Sequence, residues 1–339
     1  MKVAILGAGA VGKLLSAYIS EGNDSVTLVC NNESKAMAIN SRGVRISGVR
    51  GNSHKIPKAI AKISDLSTRS KFDCIIFATQ AFNLRAAATE ALPYLAKDGI
   101  ALSLQEGICI DTLADIVGKR RTASAVMTFT CEETDETTVN LTSDGHIYLG
   151  RADKKIDDDI VWLLAFLSSA FPTTVSDNIY SELYTKLALS SAVSSASIIT
   201  GRSFAQLSRD RYARNFCNGI IKEYMELSNR SDFELRPFNR HSKDELIPPP
   251  SSFLSEVRNT LIWIKLAHRY KKAASPSYTA FKKGNKTEIY YLNGWIARRA
   301  ERYELDIPYN SAALRMISEI EKGKLEPARK NLKDMFRKS

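Results

Sequence analysis

An apolar run of strand length, residues 2–6, passes directly into Gly7-Ala8-Gly9-Ala10-Val11-Gly12 and then into a helical stretch. Few folds accept that opening. Residues 13–20 place Leu14, Leu15, Tyr18 and Ile19 at helical spacing, Gly22-Asn23-Asp24 reads as a turn, and residues 25–30 read as a second strand. A G-x-G-x-x-G spacing is weak alone, but between a strand and a helix it has a definite physical meaning. Gly7 permits the tight turn, Gly9 lets the backbone approach a pyrophosphate, and Gly12 allows close helix–sheet packing. The amides that open the helix, at Ala10 and Val11, then face the phosphates.

The remainder of the first half repeats the pattern. Residues 74–78 and 100–104 are buried-strand candidates, separated by an alanine-rich helical stretch over 84–95. Such alternation predicts an α/β fold with a Rossmann-type, doubly wound parallel sheet. Residues 122–130, 137–142 and 146–149 are closely spaced strand candidates that suit an antiparallel extension of that sheet. After Pro172 the residues become helix-compatible over 179–199, 212–229, 252–271, 287–304 and 310–322. The polar stretch 236–252, with Pro248-Pro249-Pro250, reads as a loop inside this second half. The expected organisation is a dinucleotide-binding domain over 1–172 and an all-helical domain over 173–339.

Composition narrows the function classes. With 44% hydrophobic and 25% charged residues, the 339-residue chain has material for two ordinary cores. No run approaches the roughly 20 apolar residues needed to span a bilayer, and the N-terminus lacks a signal-peptide pattern. Five cysteines without CxxC or metal-ligand spacing suit reduced core residues of a cytoplasmic protein. The four histidines have no metal-site spacing, so no metal is expected. Lys and Arg total 48 against 37 Asp and Glu, a net charge of +11, with local density over 265–272 and 322–338. No aromatic-interleaved basic motif accompanies it, so neither nucleic acid nor membrane is the expected partner. A phosphate-rich cofactor, an acidic substrate and a solvated basic face account for the surplus.

The end of the second strand discriminates between cofactors. An NAD site usually places Asp or Glu there, about 20 residues after the glycines, to bind the ribose hydroxyls. This chain has Cys30-Asn31-Asn32-Glu33-Ser34-Lys35. The neutral amides of Asn31 and Asn32, with Lys35 close by, suit a 2′-phosphate, so NADP(H) is the expected cofactor; Glu33 is the opposing feature. Farther on, Glu182, Lys186, Ser190 and Ser194 recur every four residues and form one polar stripe on an otherwise apolar helix. Such a stripe faces a polar cleft or solvent, and in solvent it amounts to a surface Glu182–Lys186 pair.

Several blocks together resemble the ketopantoate reductase family, NADPH enzymes that reduce 2-dehydropantoate to pantoate. They are residues 6–12, Asp73-Cys74-Ile75-Ile76-Phe77-Ala78, Leu104-Gln105-Glu106-Gly107 and Glu182-Leu183-Tyr184-Thr185-Lys186-Leu187-Ala188. The most specific are Gly284-Asn285-Lys286-Thr287-Glu288-Ile289-Tyr290-Tyr291-Leu292-Asn293-Gly294 and Ile307-Pro308-Tyr309-Asn310. The resemblance implies a bilobal protein with its active site in the cleft between a Rossmann domain and a helical domain, and a homodimer formed through the latter. It places the family's catalytic lysine on Lys186 and its active-site glutamate on Glu288. Glu288 also stands at an expected helix start, where a carboxylate can serve simply as a cap.

Four positions depart from the family pattern. Gln80 stands where the family has a lysine, and Glu106, Ser190 and Ser194 stand where it has asparagines. Gln80 and Glu106 fall on cofactor-facing positions. Ser190 and Ser194 fall on the substrate pocket, and Ser275 or Ser277 on a carboxylate-binding segment. The expected activity is hydride transfer from NADPH to the carbonyl of a small 2-oxo acid. A same-fold reductase of another keto acid or imine, and an NADP-binding protein without turnover, remain open beside it.

Overall fold

The structure, a computed structural model, describes residues 1–20, 25–231, 233–236, 253–269 and 275–335. The Gly22-Asn23-Asp24 turn, the Pro248-Pro249-Pro250 stretch and the ends of both basic runs lie outside these residues. Two compact units result. One comprises Met1–Gln105 with Cys109–Ile179, the other Glu106–Ile108 with Tyr180–Ser339.

The first unit is built on strands β1 (Val3–Leu6), β2 (Val26–Val29), β3 (Val44–Gly48), β4 (Ser53–Lys55), β5 (Lys58–Ile60) and β6 (Phe72–Phe77). They are followed by β7 (Leu95–Ser103), β8 (Thr122–Met127), β9 (Thr130–Glu133), β10 (Thr138–Ser143), β11 (Ile147–Arg151) and β12 (Thr173–Val175). Its helices are α1 (Ala10–Ile19), α2 (Glu33–Arg42), α3 (Leu84–Ala91), α4 (Ile110–Val117) and α5 (Asp158–Ser168). The large sheet has the order β12-β11-β8-β7-β6-β1-β2-β5. From β5 to β8 every neighbouring pair is parallel. Strands β1 and β2 are buried at every position, as expected of strands covered on both faces. The chain moves outward from β1 in one direction through β2 and β5, then returns to place β6 on the other side. The order reverses at the carboxyl ends of β1 and β6, the ligand crevice of doubly wound sheets.

The antiparallel extension expected over 122–149 is only partly present. Strand β8 joins β7 in parallel, and β11 runs antiparallel to β8. Strands β9 and β10 leave the large sheet and pair with β3 and β4, in the order β4-β3-β10-β9. The short strands β3 and β4 give no clear sequence signal, so the second sheet was not expected. Strand β12 pairs with β11, so the large sheet continues past Pro172.

The second unit is helical: α6 (Ile179–Thr200), α7 (Phe204–Leu207), α8 (Arg211–Arg230), α9 (Phe253–Arg269), α10 (Pro276–Lys282), α11 (Ile289–Arg302), α12 (Pro308–Glu321) and α13 (Arg329–Met335). Its apolar core includes Leu187, Phe216, Ile220, Trp263, Ile296 and Ile317. Three polar ties cross that core. The Tyr224 hydroxyl on α8 meets Ser191 Oγ of α6 at 2.9 Å and donates to the Leu292 carbonyl of α11 at 3.2 Å. Asn293 Nδ2 of α11 donates to Asn310 Oδ1 of α12 at 2.8 Å. The Glu223 carboxylate of α8 in turn accepts the backbone N–H groups of Tyr309 (2.6 Å) and Asn310 (2.9 Å), and Asn310 Nδ2 (2.6 Å).

Glu223 thus holds the start of α12. Glu223→Ala strands three buried donors, so we expect a loss of about 3 kcal/mol or more in urea unfolding; a loss below about 1 kcal/mol would contradict the assignment. Burial pushes the Glu223 carboxyl up to about 7, against the opposing effect of its three donors. The native state then holds a proton that the unfolded chain has released. This contribution is present at acidic pH and fades as pH rises toward 7. The stability gap between wild type and Glu223→Gln should therefore narrow from pH 5 to pH 8.

Candidate active site

The glycine turn follows from two close approaches and one open position. Gly7 sits at φ +111°, where a Cβ would lie 2.8 Å from the Ala78 carbonyl carbon at the end of β6. A Cβ at Gly12 would collide with the Gly7 carbonyl oxygen. Gly9 is different: a Cβ there would meet nothing within 4 Å. It is also the N-cap of α1 and carries no side chain to occupy the helix's first amides, which include those of Ala10 and Val11. Of the three glycines only the half-buried Gly9 has open space beside it, so the turn fits a bound pyrophosphate.

Asn31 and Asn32 are exposed at the end of β2. Asn32 caps α2, its Oδ1 accepting the Lys35 N–H at 2.8 Å while its Nδ2 donates to Asn31 Oδ1 at 3.0 Å. Glu33 is exposed in the first turn of α2. Lys35 is placed by this cap, and its Nζ lies 3.1 Å from Glu133 Oε1 on β9. The same oxygen accepts a 2.6 Å hydrogen bond from Lys13, whose side chain is fully buried. Sequence reasoning passed over both Lys13 and Glu133. Gln80 is exposed just beyond β6. Beside it, Gln105 Nε2 donates to Thr79 Oγ1 at 3.2 Å and Ser103 Oγ donates to Gln105 Oε1 at 2.6 Å, fixing the ends of β6 and β7.

The helical unit gathers the other candidates. Along α6 the stripe sinks inward, with Lys186 and Ser190 half-buried and Ser194 fully buried. Glu182 is itself buried, and among the described residues no carboxylate lies within 4.0 Å of the Lys186 ammonium. The solvent-facing Glu182–Lys186 pair does not exist. Ser190 Oγ lies 3.4 Å from Glu106 Oε1, so a residue expected on the cofactor side touches one expected on the substrate side. Gly107, at φ +90°, lets this turn approach α11, where a Cβ would lie 3.1 Å from the Tyr291 carbonyl oxygen.

Glu288 is the N-cap of α11, yet only its backbone carbonyl serves the helix, accepting the N–H groups of Tyr291 and Leu292. The carboxylate does not cap and is buried. Ser190, Glu106, Gly107 and the first turn of α11 are thus linked by successive contacts, with Lys186 one helical turn before Ser190 and the Tyr224 tie joining α6 to α11. The Ser275 oxygen caps α10 by accepting the Tyr278 N–H at 3.1 Å. Ser277 is buried, and its Oγ and that of Ser194 have no hydrogen-bond partner among the described residues. Buried hydroxyls of that kind suit a ligand's polar group.

Two models of ketopantoate reductase PanE/ApbA match the chain, the first over residues 3–154 and the C-terminal one over 178–321. The chain belongs to the ketopantoate reductase family. A 2-dehydropantoate 2-reductase of Pyrococcus abyssi is 23% identical over 314 residues, 91% of this chain and 94% of that protein. One of Lactococcus lactis is likewise 23% identical, over 311 residues. Among solved structures, a ketopantoate reductase from Ralstonia eutropha superposes with a TM-score of 0.78 at 23% identity, covering 96% of this chain and 99% of that one. A D-mandelate dehydrogenase with NADH and anilino(oxo)acetate gives 0.79 at 20% identity, covering 96% and 100%. This ketopantoate reductase family member is thus an oxidoreductase with a parallel-sheet nucleotide unit and a helical unit. Among its described residues no helix is long and apolar enough to cross a membrane, and no cluster of His, Cys, Asp or Glu is arranged to hold a metal ion.

The glycine geometry yields a paired prediction. Gly9→Ala should leave stability within about 0.5 kcal/mol while weakening nicotinamide dinucleotide binding at least about tenfold. Gly12→Ala should cost about 2 kcal/mol through the forced clash. Thermal unfolding and cofactor titration of both variants check this; a Gly9→Ala protein that binds nucleotide like wild type would remove the cradle.

Proposed function

We propose that this protein is an NADPH-dependent reductase of the 2-dehydropantoate 2-reductase type, converting a small 2-oxo acid to its 2-hydroxy acid. The observation that carries the reading is Lys186: half-buried, without a carboxylate partner among the described residues, and one turn from the Ser190–Glu106 contact. A family position supports it, since Lys186 and Glu288 fall on the family's reacting lysine and glutamate. The activities for which the relatives are named point the same way, because 2-dehydropantoate reduction and D-mandelate oxidation both interconvert a 2-oxo and a 2-hydroxy acid.

The nicotinamide ring, when bound, supplies the hydride. The protein's part is placement and proton supply. Gly9 with the first amides of α1 would hold the pyrophosphate, in a turn that Gly7 and Gly12 shape. Asn31, Asn32 and Lys35 receive the 2′-phosphate, and Gln80 lines the crevice at the end of β6. Lys186 donates a hydrogen bond to the substrate's carbonyl oxygen, then transfers its proton as negative charge develops there. Glu288 binds a substrate hydroxyl or orients that ammonium. Ser194 and Ser277 offer unpartnered hydroxyls to the substrate carboxylate, with Ser190 beside them. The Glu106 carboxylate against Ser190 favours a substrate that presents a hydrogen-bond donor there, which keeps another keto acid or an imine as a second reading within the same chemistry. We assign the reaction to the cytoplasm, with no nucleic-acid partner and a homodimer formed through the helical unit.

NADPH should bind at least tenfold tighter than NADH, about 1.4 kcal/mol. Asn32→Asp should shift preference toward NADH while preserving the α2 cap, since Asp caps as well as Asn. In single-turnover NADPH oxidation with the best substrate from a 2-oxo acid panel, Lys186→Met should slow the rate roughly 10²–10⁴-fold. Its nucleotide affinity should stay within about twofold. A methionine variant at wild-type speed would remove Lys186 from the mechanism.

A further inference from the structure

The second sheet delivers one residue to the nucleotide unit that neither the glycine motif nor the strand-end rule anticipates. Glu133 ends β9, paired through Val139 of β10, and its Oε1 takes both Lys13 at 2.6 Å and Lys35 at 3.1 Å. The two lysines are not equivalent. Lys13 is completely buried and donates also to the backbone carbonyls of Asp135 (3.3 Å) and Glu136 (2.9 Å), so it is fixed in place. Lys35 keeps 19% of its side chain exposed and springs from the capped first turn of α2. The neighbouring acids are engaged elsewhere: Asp135 accepts the Thr137 N–H, and Glu136 pairs with Arg42 on the surface. Both lysines act electrostatically on Cys30, the last residue before Asn31, whose buried thiol is pushed up to about 11 by desolvation against their opposing charge. The cluster therefore lies at the strand end where the cofactors are told apart.

Two ammonium groups thus share the one Glu133 oxygen. Burial raises the Glu133 carboxyl, but the hydrogen bonds and charges of Lys13 and Lys35 outweigh it and keep the group ionised. A permanent anion at this point repels a 2′-phosphate and holds the partly exposed cation that would bind one.

We propose that Glu133 is a specificity-determining residue of the nucleotide site: its hold on Lys35 sets how strongly the protein prefers a 2′-phosphorylated nucleotide over an unphosphorylated one. The inference rests on the NADPH reading above, and it names an antagonist within it. Lys13 is the counterweight that lets a carboxylate remain there.

The experiment is a titration of the full chain with NADPH and with NADH at one ionic strength. The variants are Glu133→Gln, Lys35→Met and their combination. Glu133→Gln should raise the NADPH-to-NADH affinity ratio about threefold or more, the scale of a released, partly exposed ion pair. Lys35→Met should lower that ratio, and in its background Glu133→Gln should give less than half the gain seen alone. A purely structural Glu133 would weaken both nucleotides equally, and an equal gain in both backgrounds would mean that Lys35 is not the group being held; either result overturns the proposal. If Glu133→Gln does not fold, Glu133→Asp keeps one carboxylate beside the two lysines while lengthening its contacts with both, and the same sign of change is required. A wild-type protein with no NADPH preference and no response to Lys35→Met would instead defeat the NADPH reading, and this inference with it.

Discussion

Helix α1 begins where it does because position 12 has no side chain: the Gly7 carbonyl oxygen occupies the space a Cβ would need. That contact folds the chain back over β1 within one turn, and much follows from it. The first amides of α1 are left facing the open space beside Gly9. Lys13, the next residue, is driven into the interior toward β9. Position 7 must adopt a positive φ against the end of β6, which ties the turn to the point where strand order reverses.

In the helical unit the equivalent constraint is polar. Two of the blocks that carry the family likeness hold each other, since Asn293 donates to Asn310 and Asn310 to Glu223. These asparagines do structural work in the core, and their presence speaks for the fold of this unit. The proposed chemistry falls on another residue of the same blocks, Glu288, whose carboxylate does not cap the helix it begins. Tyr224 then ties α6 to α11 and fixes the spacing between the helix that carries Lys186 and the one that Glu288 opens.

Much of this was legible in the sequence where a local rule decides the outcome. The strand–glycine–helix opening, the parallel alternation and the four-residue stripe on α6 are each set by neighbours a few positions apart. The second sheet was not legible, because β9 and β10 alternate like an extension of the large sheet and their partners β3 and β4 lie some ninety positions upstream. Glu133 was missed for the same reason. Glu223 carried no signal either, since a glutamate in mid-helix reads as solvent-facing until the start of α12 is folded against it. Ser275 carries two signals: serine before proline at a helix start is a cap signal, and that reading stands beside ligand binding.

The proposed reaction moves a hydride from NADPH to the carbonyl carbon of a 2-oxo acid. Incubating the wild-type protein with NADPH deuterated at the transferable C4 position and a panel of 2-oxo acids, then weighing the products, tests it directly. The prediction is a 2-hydroxy acid carrying one deuterium at C2, formed in step with NADP⁺. Tight NADPH binding with no deuterium in any 2-hydroxy acid would contradict it.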